Sequence, residues 1–320
     1  MQTVPLPSPG NGAAPEDGSG PVPFLDSHVH LWTLDDGEHF WARDKIAALH
    51  RDFTEDDLRA EGEACGVGGA IVVQACHSTS ETMKWLARAT RGGRIAGVVG
   101  WLDLFAADLR EQIESYRSWS RFVGLRPLPA DTFGGDWMAD PRAHPAIALL
   151  HSMDVSVDTL QPVQGLPRAR TFFREHPGLR LVLNHGGRPL VMTGESEPWR
   201  SEIGAFARET AAVVKCSGLV ERAGLEWTKT LLRPYVATLL DTFGPRRTMF
   251  ATNWPIVTIG GRYDLWVETL LELLDDLGLT ADERDDVMWR TAARHYRIDW
   301  PPRAAAAQRE SPDGWPTREP

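Results

Sequence analysis

Cysteine is scarce in this chain: Cys65, Cys76 and Cys216 are the only three among 320 residues. None stands in a CxxC pair, which excludes a zinc knuckle or a thioredoxin-type redox motif. An odd, sparse set suits a reducing compartment. Positive charge is in deficit, with 34 Lys and Arg against 44 Asp and Glu and a net charge of −10. Nucleic-acid binding needs a basic surface, so that partner is excluded. A small anionic substrate is not, because one arginine in a pocket outweighs the global field. No apolar run approaches the roughly 18 residues of a membrane span. The first residues lack the basic and apolar regions of a secretory signal, so a cytoplasmic location is expected. No GxGxxG follows the first apolar run, which removes the usual dinucleotide-binding signal, and no internal sequence repeat is evident.

What is present is an alternation. Eight apolar runs (PFLDSHVHLW, GAIVVQA, IAGVVGWLDL, FVGLRPL, VSVDTL, LRLVLNHGG, AAVVKCSGL and RTMFATNWPIV) read as strands. Their near-continuous hydrophobicity fits parallel strands covered on both faces. They end near residues 30, 76, 102, 126, 159, 185, 217 and 253. The intervening segments carry helix signals. Ser78–Glu81, Thr54–Asp57 and Thr280–Glu283 look like N-terminal caps, and Gly92–Gly93 and Gly244–Pro245 like stops. Residues 263–277 place Leu265, Trp266, Leu270, Leu273 and Leu274 at near-helical spacing. Eight strand–helix units in about 270 residues predict a closed (β/α)8 TIM barrel over residues 23–300. Residues 1–22 and 301–320, rich in Pro, Gly and small polar residues, are expected to be a flexible leader and tail.

In such barrels the reacting groups project from the C-terminal ends of strands. The first strand places His28 and His30 two residues apart, hence on one side. Two imidazoles there could grip a metal ion or a substrate carbonyl, or be structural. The sixth strand ends at His185, followed by two glycines that permit close approach of a ligand, although loop carbonyls could equally satisfy that ring. The eighth ends at Asn253, which also reads as a turn residue before Pro255. Arg126, after the fourth strand, offers a planar fork for a carboxylate or pairs with a structural acid. Gln74 and His77 follow the second strand, Asp158 lies on the fifth, and Lys215 and Ser217 lie near the end of the seventh. Gln74 and Lys215 are candidate substrate ligands, whereas a surface loop suits His77 and a structural pairing suits Asp158. Trp32, Trp41, Trp101 and Trp254 form an aromatic wall or pack the core; Trp254 is the candidate substrate contact. Cys76 and Cys216 read as small buried residues.

Taken together, the HxH element, the strand-ending His-Gly and the FATNWP element resemble the amidohydrolase superfamily. More narrowly, they resemble its amidohydrolase-2 lactonase group, which includes L-fuconolactonases and 2-pyrone-4,6-dicarboxylate lactonase. GVVGWLDL, VGLRP, VVKCSGL and TAARHYRI are similar too, so the resemblance covers about residues 24–298. It implies an amidohydrolase-type barrel that opens a small cyclic ester of the sugar-lactone, pyrone or muconolactone type. His28, His30, His185 and residue 253 would be catalytic, and Arg126 would hold a substrate carboxylate. The three histidines would be ligands for zinc where a metal is present; parts of the group are metal-dependent and parts need none. The expected partner is a small carbonyl compound, carboxylated or not, and the chain is expected to be a monomer or homodimer.

One position departs from that pattern. The family carries an aspartate at the end of strand eight, as water-activating base and metal ligand. Here it is Asn253, and an amide cannot serve as a carboxylate base. Three explanations stand open: an engineered exchange, a shift to another reaction, or a non-catalytic ligand-binding descendant. The implied activity is slow or absent hydrolysis, with a metal-dependent decarboxylase as the alternative chemistry.

Overall fold

Residues rich in Val, Ile and Leu pair into a single parallel sheet, described here in a computed structural model covering residues 22–36, 47–127 and 137–302. The strands are β1 (Phe24–Val29), β2 (Val67–Val73), β3 (Ile95–Gly100), β4 (Phe122–Leu125), β5 (Val157–Thr159), β6 (Leu181–Leu183), β7 (Val213–Cys216) and β8 (Thr248–Phe250). They lie in sequence order around the sheet. A parallel bridge between Val29 and Trp254 brings the last strand back to the first. Two hydrogen bonds complete that seam: His30 N–H to the Trp254 carbonyl at 2.7 Å and Asn253 N–H to the His28 carbonyl at 2.9 Å. The result is the expected (β/α)8 barrel. The expected strand ends are met within three residues, and each difference is an overshoot. The extra residues, among them His30, His185 and Asn253, have left the ladder to form the rim. The leader and tail expected at 1–22 and 301–320 fall almost wholly outside the described residues, as does Trp41.

The strands alternate with α1 (Glu55–Glu63), α2 (Thr79–Ala89), α3 (Leu109–Arg117), α4 (Ala143–Ser152), α5 (Leu166–Arg174) and α6 (Trp199–Glu209). After β7 come the short α7 (Val220–Ala223) and α8 (Lys229–Phe243); α9 (Tyr263–Asp276), α10 (Ala281–Asp285) and α11 (Thr291–Tyr296) follow β8. Thr54 and Thr280 each form a reciprocal capping box, with Asp57 and Glu283 respectively. Ser78 also caps its helix through Glu81 N–H. The Glu81 carboxylate turns back to accept the N–H groups of Ala75 and Cys76, tying down the loop after β2. Leu265 does not join the core-facing side of α9: it is 42% exposed, whereas Trp266, Leu270, Leu273 and Leu274 are buried. One residue is about 100° of helical turn, enough to carry Leu265 off the face that Trp266 centres.

Inside the barrel, Leu25, Ile71, Val73, Val99, Val182, Val213 and Met249 cluster with Ala292, Ala293 and Tyr296 of α11. The interior is thus a packed plug rather than a channel, as expected for eight strands. At its N-terminal end, Trp300 Nε1–H donates to the Pro23 carbonyl at 2.8 Å, clasping the two ends of the barrel segment together. Among the described residues no helix is long and apolar enough to cross a membrane. Thr54→Ala removes both halves of the α1 capping box and is expected to lower stability by about 1 kcal/mol, read as a shifted urea midpoint with an unchanged slope.

Candidate active site

The rim residues of β1, β6, β7 and β8 converge. The His28 and His30 rings meet edge to face, with centroids 4.9 Å apart and their Nε2 atoms at 3.2 Å. The His185 ring lies 4.5 Å from His28, centroid to centroid. Its position depends on an unusual backbone: His185 has φ 55°, and Gly218 after β7 has φ 72°. A Cβ at Gly218 would come 2.5 Å from His185 Cβ, so only glycine lets the two loops approach this closely. Ser217, beside it, shares a 2.9 Å hydrogen bond with His185 Nδ1.

The hydrogen bonds assign the imidazole protons. His30 Nδ1 sits 2.8 Å from the Val73 carbonyl, an acceptor only, so Nδ1 carries the proton and Nε2 the lone pair. Lys215 Nζ lies 2.7 Å from Asp158 Oδ2 and 3.3 Å from His28 Nδ1. The ammonium donates to both, which places the His28 proton on Nε2, aimed at His30. Tyr296 O–H completes the chain by donating to Asp158 at 2.8 Å. Burial lowers all three histidines, with Lys215 acting next on His28 and Arg126 next on His30 and His185; His30 falls to about 3. All three rings are neutral near pH 7.

Asp26 on β1 accepts from Thr252 N–H, Thr252 Oγ1 and Tyr263 O–H, and so ties β1 to the β8 rim. Burial raises its pKa to about 6 against those bonds. Arg126 is buried, and its Nη2 donates to the Gln74 carbonyl at 2.5 Å. Its Nε–H has no partner, and no acid pairs with it among the described residues. Burial depresses the guanidinium to about 10, which leaves it charged and short of an acceptor.

Other candidates take different places. Lys215 and Asp158 are sealed from solvent and bonded to each other, so Lys215 serves the histidines rather than an open pocket. Trp254 is fully buried, edge-on to Phe53 at 5.3 Å, and Trp32 packs on the same ring at 4.9 Å; both belong to the core. His77 is not a free surface residue: it is half-buried and stacks parallel to Trp101, 5.5 Å between centroids. Cys76 and Cys216 are buried, and burial pushes the Cys216 thiol up to about 12. A cavity of about 500 Å³ lined by Ala96, Val123, Arg180 and Arg297 lies at the opposite, N-terminal end of the strands, away from these groups.

The amidohydrolase family matches residues 25–298. The chain belongs to that family. An L-fucono-1,5-lactonase of Burkholderia ambifaria is 32% identical, over 87% of this chain and 96% of its own length. The enzyme of the same name from Burkholderia multivorans is 31% identical over 87% and 97%. A crystal structure of a B. multivorans amidohydrolase with bound zinc is 30% identical, with a TM-score of 0.78, over 86% of this chain and 99% of that one.

Within this amidohydrolase, three imidazoles are a zinc-type donor set, but Lys215 Nζ at 3.3 Å from His28 Nδ1 favours a proton on His28 Nε2, the atom that would have to ligate. Among the described residues no three His, Cys, Asp or Glu side chains form a group able to hold an ion. One rim residue escaped the sequence reading altogether. Glu221, in the first turn of α7, accepts from Asn253 Nδ2 at 2.5 Å. The available signal was an acid five residues beyond the end of β7, on the rim that carries the histidines.

Stability should fall on acidification. The pKa values of His30 and His295 are lowered to about 3, by burial first. The unfolded chain therefore takes up protons below about 6.5 that the folded chain refuses, and stability is lost progressively from there towards 3. Asp26, raised to about 6, has the opposite sign but is one group against several. A urea series between pH 7 and 4 should show this slope, and His295→Gln should flatten it.

Proposed function

We propose that this amidohydrolase opens a small cyclic ester, of sugar-lactone rather than pyrone type. The observation that carries the reading is the convergence of His28, His30 and His185 with residue 253 at one end of the barrel, in a chain about one-third identical to two L-fucono-1,5-lactonases. Neutral imidazoles and a charged, under-coordinated Arg126 form a site for a polarised carbonyl. The Arg126 Nε–H, buried and unpartnered, donates to the carbonyl oxygen as it gains charge. Such a donor in a dry site is worth about 10²–10³ in rate. The ring chain from Lys215 through His28 and His30 to Val73 holds each imidazole in one tautomer, so the site needs little reorganisation during the reaction. The same arginine would take a substrate carboxylate if one is present.

The test is a panel of sugar lactones, pyrones and muconolactones, with acid release followed at constant pH for the wild-type chain and for Asn253→Asp. Sugar lactones should be opened fastest. If neither chain opens any lactone, the reading fails, and carbon dioxide release from aromatic acids would point instead to a decarboxylase. For the purified protein, metal analysis should find well under one zinc ion per chain. Stoichiometric zinc that survives dialysis against a chelator would show that the His28 proton is displaced in solution.

A further inference from the structure

Asn253 and Glu221 are built as one unit. The amide is pinned by its own N–H on the His28 carbonyl, at φ 62°. Its Nδ2 donates to Glu221 Oε1 at 2.5 Å. The loops carrying the two residues are pressed together: Gly260, after β8, would place a Cβ 2.4 Å from the Val220 carbonyl oxygen and 2.7 Å from Glu221 Cα. No other residue fits there. The contact is therefore enforced by backbone on both sides.

The two outer oxygens of this pair, Asn253 Oδ1 and Glu221 Oε2, are both sealed and both lack a donor. Each orphaned acceptor costs about 1–3 kcal/mol, so each calls for a donor. A water molecule carries two O–H groups and can serve both. The same side chain of Asn253 borders His30, whose protonated ring it favours, so the water would sit beside the imidazole cluster. Burial raises the Glu221 carboxyl above the usual carboxylate range, as suits a proton acceptor, and the Asn253 hydrogen bond, then Arg222 and Arg188, oppose that rise.

We propose that Glu221 supplies the carboxylate base missing from position 253, with Asn253 holding it and orienting the water; this rests on the lactonase reading above. The water oxygen attacks the lactone carbonyl carbon while its proton passes to Glu221 Oε2. The carbonyl electron pair moves onto oxygen, beside Arg126. Collapse breaks the ring C–O bond, and the leaving alkoxide takes the proton back from Glu221. Lactone and water have become an open hydroxy acid, and the carboxylate is restored. The arrangement also accounts for the amide. An aspartate 2.5 Å from Glu221 would make two carboxylates that cannot both ionise, whereas asparagine donates to Glu221 and favours its charged form. The slow or inactive enzyme implied by residue 253 alone is thereby replaced by an active one.

Four chains test this on a sugar lactone: wild type, E221Q, N253D and the exchanged pair E221Q/N253D, each checked for a wild-type-like melting curve. E221Q should lose 10²–10⁴ in kcat with little change in KM, the range for removal of a general base. The exchanged pair should recover kcat to within about tenfold, because it keeps one acid and one amide in the same contact. N253D alone should move the acidic limb of the pH–rate profile upward, as two carboxylates share a proton. Wild-type kcat in E221Q, or an exchanged pair no better than E221Q, overturns the proposal and leaves the lactonase reading standing. Inertness of all four chains overturns both.

Discussion

Closure of the barrel between β1 and β8 is the constraint on which the rest depends. Two backbone hydrogen bonds, from His30 and Asn253 to the opposite strand, join the ends of the sheet. The residues that make them are the ones whose side chains face one another across the rim. Asp26 reinforces the same seam through Thr252 and Tyr263, and its burial is tolerated because it accepts several donors. Backbone bonds across the seam thus set the spacing of the β1 and β8 rim residues, while His185 is placed by its own turn against Gly218.

Electrostatics follow from that closure. The barrel mouth buries Lys215, Arg126 and three imidazoles within a few side chains of each other. Such a cluster is stable only if most of its members stay neutral. Desolvation neutralises the histidines, and Asp158 compensates Lys215 through a pair that is itself sealed from solvent. Breaking a buried pair costs far more than forming it gains, so the Lys215–Asp158 contact is best understood as specifying the direction of the imidazole chain. Arg126 is left without an acid partner among the described residues, so its positive charge is uncompensated at the barrel mouth.

The barrel and its histidines were legible in the sequence because their signals are local: alternating apolar runs, an HxH step, a histidine before two glycines, capping residues three apart. The expected strand ends ran past the ladder wherever polar rim residues continued an apolar run, as at His30 and Asn253. What was not legible joins residues far apart in the chain. Lys215 reaches His28 across 187 residues, and Tyr296 reaches Asp158 across 138. Lys215 therefore read as a substrate ligand, since nothing near it in sequence shows that Asp158 and His28 already occupy it. Trp254, read as a ligand wall, is instead committed to Phe53. Glu221 and Asn253 are 32 residues apart, and the significance of either depends on seeing the other.

The clasp between Trp300 and Pro23 has a practical consequence. It draws Pro23 and Trp300 to the N-terminal ends of the strands, whereas the imidazole cluster lies at the C-terminal ends. A chain joined directly at either of these two residues starts from the end of the barrel opposite the histidines.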